Sequence, residues 1–148
     1  MQLSQHFTLA ELSSSDTAAR HGLDNTPPED VVANLKKLAE LLEKVRNLFN
    51  APITINSGYR SPEVNALVGS KPTSQHCKGE AADIRVPGHT PLEVCYAIKA
   101  AQLQYDQCIL EFYNSATGTG WTHISVSSNP RRQDLTINKS GTTVGFHA

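Results

Sequence analysis

The stretch Ser74-Gln75-His76-Cys77-Lys78-Gly79-Glu80-Ala81-Ala82-Asp83-Ile84-Arg85-Val86 changes character at its glycine. Before Gly79 it is polar and loop-like. After Gly79, apolar Ile84 and Val86 alternate with Asp83 and Arg85, the period-two pattern of a strand with one buried face. The buried face is therefore aliphatic, and Asp83 is turned away from it. The stretch also holds two good metal donors, the imidazole of His76 and the carboxylate of Asp83. A catalytic zinc usually takes three protein ligands and leaves a fourth position open, so a third donor is expected elsewhere in the chain.

Trp121-Thr122-His123-Ile124-Ser125-Val126 has the same parity, with Ile124 and Val126 on one face and His123 on the other. If the two strands neighbour one another in a sheet, Asp83 and His123 meet on the face opposite the core. The residues alone leave a plainer reading open, in which His76 is a loop histidine, Asp83 a turn or cap carboxylate and His123 a half-buried imidazole. The spacing His-x6-Asp is far less specific than HExxH.

The rest of the chain supplies a scaffold. Thr26-Pro27-Pro28-Glu29 reads as a helix start, with Thr26 as cap and Glu29 closing a capping box. Apolar positions 31, 35, 38, 42, 45 and 49 then give a helix its buried stripe as far as Ala51-Pro52. Phe7–Leu12 is a short amphipathic opening. Ile53–Ser57 alternates as a strand, and Ser61-Pro62-Glu63 starts a short helix ending near Gly69. Thr90-Pro91-Leu92-Glu93 opens another helix, expected to run to about Gln104 with Leu92, Cys95, Ile98 and Ala101 inward. Gln107–Phe112 reads as a strand with Leu110 and Phe112 on the core face and Glu111 on the opposite one. A return at Gly118 and Gly120 then brings Glu111 toward His123. Asp134–Asn138 is a possible last strand.

Together these elements predict an α+β fold in one domain spanning 1–148: a small, mainly antiparallel sheet with helices packed on one face and the metal site on the other. The chain has 148 residues, 13 basic and 14 acidic, for a formal charge of -1. That balance lacks the basic footprint of nucleic-acid binding. No apolar run reaches transmembrane length, and Met1–His6 has neither the basic nor the apolar region of a secretion signal, so synthesis in the cytoplasm is expected. Cys77, Cys95 and Cys108 are an odd set at unrelated spacings and predict no disulfide framework. Cys95 and Cys108 read as core residues, and Cys77 as a bystander beside His76 rather than a ligand.

Three blocks in order, Ser57-Gly58-Tyr59-Arg60-Ser61, Ser74 through Asp83 and Trp121 through Ser125, resemble the motifs of the zinc D-Ala-D-Ala carboxypeptidases and phage L-alanyl-D-glutamate (murein) peptidases, which share the hedgehog-type fold. The resemblance runs from about Phe7 to Ser127. It implies one Zn2+ held by His76, Asp83 and His123, and a monomeric peptidase acting on peptidoglycan stem peptides. It also places Arg60 on the substrate-binding or transition-state-stabilising arginine, where the residues alone favour a surface ion pair, with Ser74 beside it as a substrate contact. A compact domain of this kind looks like a phage endolysin or a virion-associated lysin, released by a holin or delivered with the virion. In one respect the chain departs from the common pattern: three residues before the third ligand, where an acidic base is usual, stands Gly120. Glu111 is the replacement we expect as general base, with Glu80 and Asp106 as the other nearby carboxylates. Two alternatives fit the same residues, a zinc-containing wall-binding module without hydrolysis and a host D-Ala-D-Ala carboxypeptidase.

Overall fold

The computed structural model describes all residues, 1–148. Along the chain lie α1 (Leu9–Ser13), α2 (Asp16–His21), α3 (Glu29–Phe49), β1 (Thr54–Ser57), α4 (Pro62–Leu67), a 3-10 turn (Gln75–Lys78), β2 (Ala81–Arg85), α5 (Pro91–Ala100), β3 (Gln107–Asn114), β4 (Thr119–Ser125), β5 (Gln133–Asn138) and β6 (Gly141–Val144). The strands form one sheet in the order β1-β2-β4-β3-β5-β6.

Helix α3 buries Val31, Leu35, Leu38, Leu42 and Val45 of the stripe its spacing predicts and adds Ala39 and Leu41, while Phe49 at its end is only partly buried. Its start differs from expectation. Pro28 is the cap residue and offers no side-chain acceptor, while the backbone N–H of Thr26 is turned to Asp24 Oδ1 at 2.9 Å. The two prolines fix an extended approach, so Thr26 lies too far back to cap. Helix α5 has its capping box at Thr90 and Glu93 but stops at Ala100, short of Gln104. Its inner face is Pro91, Val94, Cys95 and Ile98, while Leu92 is only partly buried and Ala101 is exposed.

These two helices pack on one sheet face, over Ala82, Ile84, Cys108, Leu110 and Ile124, all fully buried. Parity then sends Asp83 and His123 to the opposite face. Cys95 and Cys108 are buried and free, and Cys77 is partly buried.

The sheet is mixed rather than mainly antiparallel. Four pairings are antiparallel, but β3 and β5 run parallel with Gln107 opposite Gln133. The cause lies in residues 126–132. Strands β4 and β5 flank β3, and this short connection crosses the start of β3 instead of returning as a hairpin. It is pinned by Asp106, fully buried, whose Oδ1 accepts from the backbone N–H and Nε of Arg131 and whose Oδ2 accepts from Arg131 Nη2 at 2.7 Å. Arg132 donates to the carbonyls of Gln102 and Leu103. Arg131 and Arg132 therefore hold the crossover, and the hairpin partner β6 completes an edge that the pattern of the tail does not reveal.

A second departure is a bulge in β3. Glu111 pairs with Trp121 but Asn114 pairs with Thr119, so β3 carries one extra residue between them. Phe112 absorbs it with φ 51, a left-handed conformation that costs a bulky side chain of order 1 kcal/mol. Phe112 does not share the core face with Leu110. It is 44% exposed and stacks on Trp121 with ring centroids 5.5 Å apart.

Candidate metal centre

The 3-10 turn is built to present His76. Ser74 caps it by accepting from the His76 backbone N–H, and Gly79 ends it in a left-handed conformation against α3, where a Cβ would lie 2.7 Å from Val31 and 2.8 Å from its carbonyl. Asn34 of α3 donates to the Lys78 carbonyl. The turn is thus fixed to the scaffold helix on one side and to the sheet on the other, and His76 is left 3% exposed.

Asp83 on β2 stands directly opposite His123 on β4, as the shared parity requires. One ligating atom from each of His76, Asp83 and His123 lies within 4.8 Å of the others. His76 Nε2 is 3.5 Å from Asp83 Oδ2, and His123 Nδ1 is 3.1 Å from Asp83 Oδ1. Cys77 is not in the group.

The donor chemistry of this trio fits a cation. His76 Nδ1 is 2.7 Å from the Gly58 carbonyl, which can only accept, so Nδ1 carries the proton. In the neutral ring Nε2 then presents a bare lone pair to a carboxylate oxygen. Two acceptors facing each other in a buried site call for a proton or a metal ion between them, and a backbone carbonyl on the far nitrogen is the outer-shell partner that orients a ligating histidine. Two imidazoles and one carboxylate match the donor preference of zinc.

Electrostatics agree. Burial alone would raise the pKa of Asp83, but the hydrogen bonds and charge of His123 and His76 outweigh it and hold the carboxyl well below the usual range. Burial opposes charge on His123, and Asp83 more than compensates, so its pKa rises.

Glu111 Oε1 is 3.6 Å from His123 Nδ1. Burial pushes its carboxyl above the ordinary range and the Asp83 charge adds to this, with His123 and Arg60 pulling the other way. The nearby indole N–H of Trp121 also pulls it down, and that N–H is buried with no hydrogen-bond partner. Among the alternative carboxylates, Asp106 is saturated by Arg131 and by Gln75 Nε2 at 2.9 Å. Glu80 lines the same cleft and is raised by burial.

Gly120 has a structural explanation. It crosses the β3 bulge at φ +106, and a Cβ there would lie 2.7 Å from the Glu111 carbonyl and 2.7 Å from Tyr113 Cα. Arg85 clamps the crossing by donating to the carbonyls of Gly118 and Gly120. No acidic side chain fits this position without moving the strand. Gly120→Glu should therefore destabilise the fold by about 1–3 kcal/mol or more without raising activity. A denaturant curve matching the wild type would contradict the crowded crossing.

Arg60 enters the cleft from the end of β1. Its Nε donates to Asn65 Oδ1 at 3.2 Å, and Nη2 reaches Ser70 Oγ and Ser74 Oγ at 3.5 and 3.4 Å. Burial lowers its pKa, opposed by Asp83 and by Glu111. It forms no ion pair, contrary to the plain reading of a surface arginine. Sequence reasoning missed Asn65 and Ser70, although Asn65 sits at an inward position of a short capped helix, which is an unusual place for an amide.

The trio, Glu111 and Arg60 line one open cleft of about 1400 Å³, all from a single chain. No helix is long and apolar enough to cross a membrane. Among curated proteins none matches the chain. A family model described as peptidase M15 matches residues 5–125, which takes in every element that carries the trio. By that match the chain belongs to the peptidase M15 family.

Proposed function

We propose that the protein is a zinc-dependent peptidase that cuts peptidoglycan stem peptides containing D-amino acids. The observation that carries this reading is the convergence of one ligating atom from each of His76, Asp83 and His123 within 4.8 Å, with Glu111 beside them. Zn2+ held there would supply Lewis acidity toward a scissile carbonyl and lower the pKa of a water toward neutrality.

The chain's own residues do the rest. Glu111, within reach of the trio and with its proton affinity raised by burial, accepts the proton of the attacking water and returns it to the leaving amine. Arg60, with unspent donors on its terminal nitrogens, takes a substrate carboxylate or carbonyl, and Ser74 adds a hydroxyl to the same group. The cleft is open and about 1400 Å³, with room for a stem peptide still attached to a polymer. A phage endolysin or virion-associated lysin, released by a holin or delivered with the virion, is the setting that suits such an enzyme.

Mass spectrometry of purified muropeptides incubated with the zinc-loaded protein, with a chelated sample alongside, tests the proposal. New stem-peptide fragments that disappear on chelation are expected, and their masses name the bond. Intact muropeptides despite one bound zinc per chain would favour the wall-binding module instead.

A further inference from the structure

Asn65 of α4 is 1% exposed, and a buried primary amide must find partners for both of its ends. Nδ2 donates to the carbonyls of Lys71 at 2.8 Å and Ser70 at 3.5 Å, while Oδ1 accepts from Arg60 Nε at 3.2 Å. The carbonyls can only accept and the Arg60 nitrogen can only donate, so the neighbours alone fix which way the amide points. Its backbone also bridges both segments, donating to the Ser61 carbonyl at 2.8 Å and accepting from the Ser70 N–H at 3.1 Å.

One side chain therefore ties Arg60 to the turn that leads to Ser74 and His76. The consequence for Arg60 is specific. Its guanidinium is half-buried in the cleft with no carboxylate in ion-pair contact, gripped at Nε by a neutral acceptor, while Nη2 makes only long contacts to the hydroxyls of Ser70 and Ser74. A neutral acceptor aims the fork without neutralising it. An aspartate at position 65 would keep an acceptor for Arg60 Nε but cancel the charge, and would give up the N–H donors that meet the Lys71 and Ser70 carbonyls.

We infer that Asn65 is a positioning residue that holds Arg60 by Nε so that its terminal N–H groups, joined by the hydroxyl of Ser70, remain free for an anionic group of the substrate. This rests on the proposed peptidase reading for its kinetic consequence, but not for its geometry. The ligand class is a carboxylate, since a half-buried cation with unspent in-plane donors matches a carboxylate's two oxygens.

The test combines kinetics on muropeptides with the NMR signal of the Arg60 Nε–H, recorded on the full zinc-loaded chain. In Asn65→Ala the Nε–H should lose its protection from solvent exchange, with KM rising about tenfold, kcat changing less than roughly threefold and zinc affinity unchanged. Asn65→Asp should keep the protected signal yet also raise KM about tenfold, because the new carboxylate neutralises the fork. A protected Nε–H and wild-type KM in Asn65→Ala would overturn the inference, as would parallel losses of kcat, zinc affinity and thermal stability at unchanged KM. Should neither variant fold, an Arg60 Nε–H that exchanges freely with solvent in the wild type overturns it equally. If the wild type cuts no muropeptide, the peptidase reading fails, and the exchange of the Nε–H still decides whether Asn65 positions Arg60.

Discussion

Replacing Asp83 by asparagine is expected to cost the protein its metal and, with it, about 10³-fold or more in peptide cleavage, the several kcal/mol that a Lewis acid contributes to such a reaction. The substitution is nearly isosteric, so the strand and the core behind it are left in place. Asp83 has its neighbours Ala82 and Ile84 fully buried on the core side, and the polar partners of its own side chain are the two histidines. In the proposed site its charge would hold two imidazole nitrogens around a cation, and a neutral amide oxygen is a much poorer zinc donor. Loss of an outer-shell partner alone typically costs 10–100-fold in metal affinity, so loss of a ligand should exceed that. Calorimetric zinc titration of Asp83→Asn against the wild type measures the effect, with circular dichroism to show that the fold persists. Wild-type affinity in the variant would mean that the trio is not the ligand set, whatever the protein cuts.

The meeting of Asp83 and His123 was legible in sequence because it depends on parity, whereas His76, in a 3-10 turn, was singled out by the motif resemblance. Once Ile84 and Val86, or Ile124 and Val126, are assigned to the core, Asp83 and His123 must share the other face, and antiparallel pairing of β2 with β4 sets them opposite one another. The scaffold was legible for the same kind of reason, since the α3 stripe recurs at helical spacing and is buried at every expected position but Phe49, which is only partly covered at the helix end. What sequence could not supply depends on contacts between distant segments. The parallel pairing of β3 with β5 is decided by Asp106 receiving Arg131, a bond between residues that each look ordinary in their own surroundings. The outward turn of Phe112 comes from one extra residue in β3, which strict alternation cannot anticipate. Asn65 showed only as an amide at an inward helix position, because its meaning lies in three partners from two loops.

Glu111→Gln should lower kcat by about 10²–10⁴-fold, the usual contribution of a positioned general base, while leaving zinc affinity within roughly threefold of the wild type. The argument combines Gly120 with the register of β3. The crowded crossing at Gly120 denies the position three residues before His123 to any side chain, and the same bulge leaves Glu111 as the carboxylate nearest to His123 outside the trio. Asp106 cannot take the task because all its lone pairs face donors from Arg131 and Gln75. Glutamine keeps the shape and removes the proton acceptor, so a fall in kcat at constant zinc content isolates the proton transfer from metal binding. Undiminished turnover in Glu111→Gln would remove Glu111 from the mechanism, and Glu80→Gln, the other carboxylate with a burial-raised proton affinity in the cleft, would then be expected to carry the loss. Retained turnover in both would mean that the chain supplies no base from this cleft.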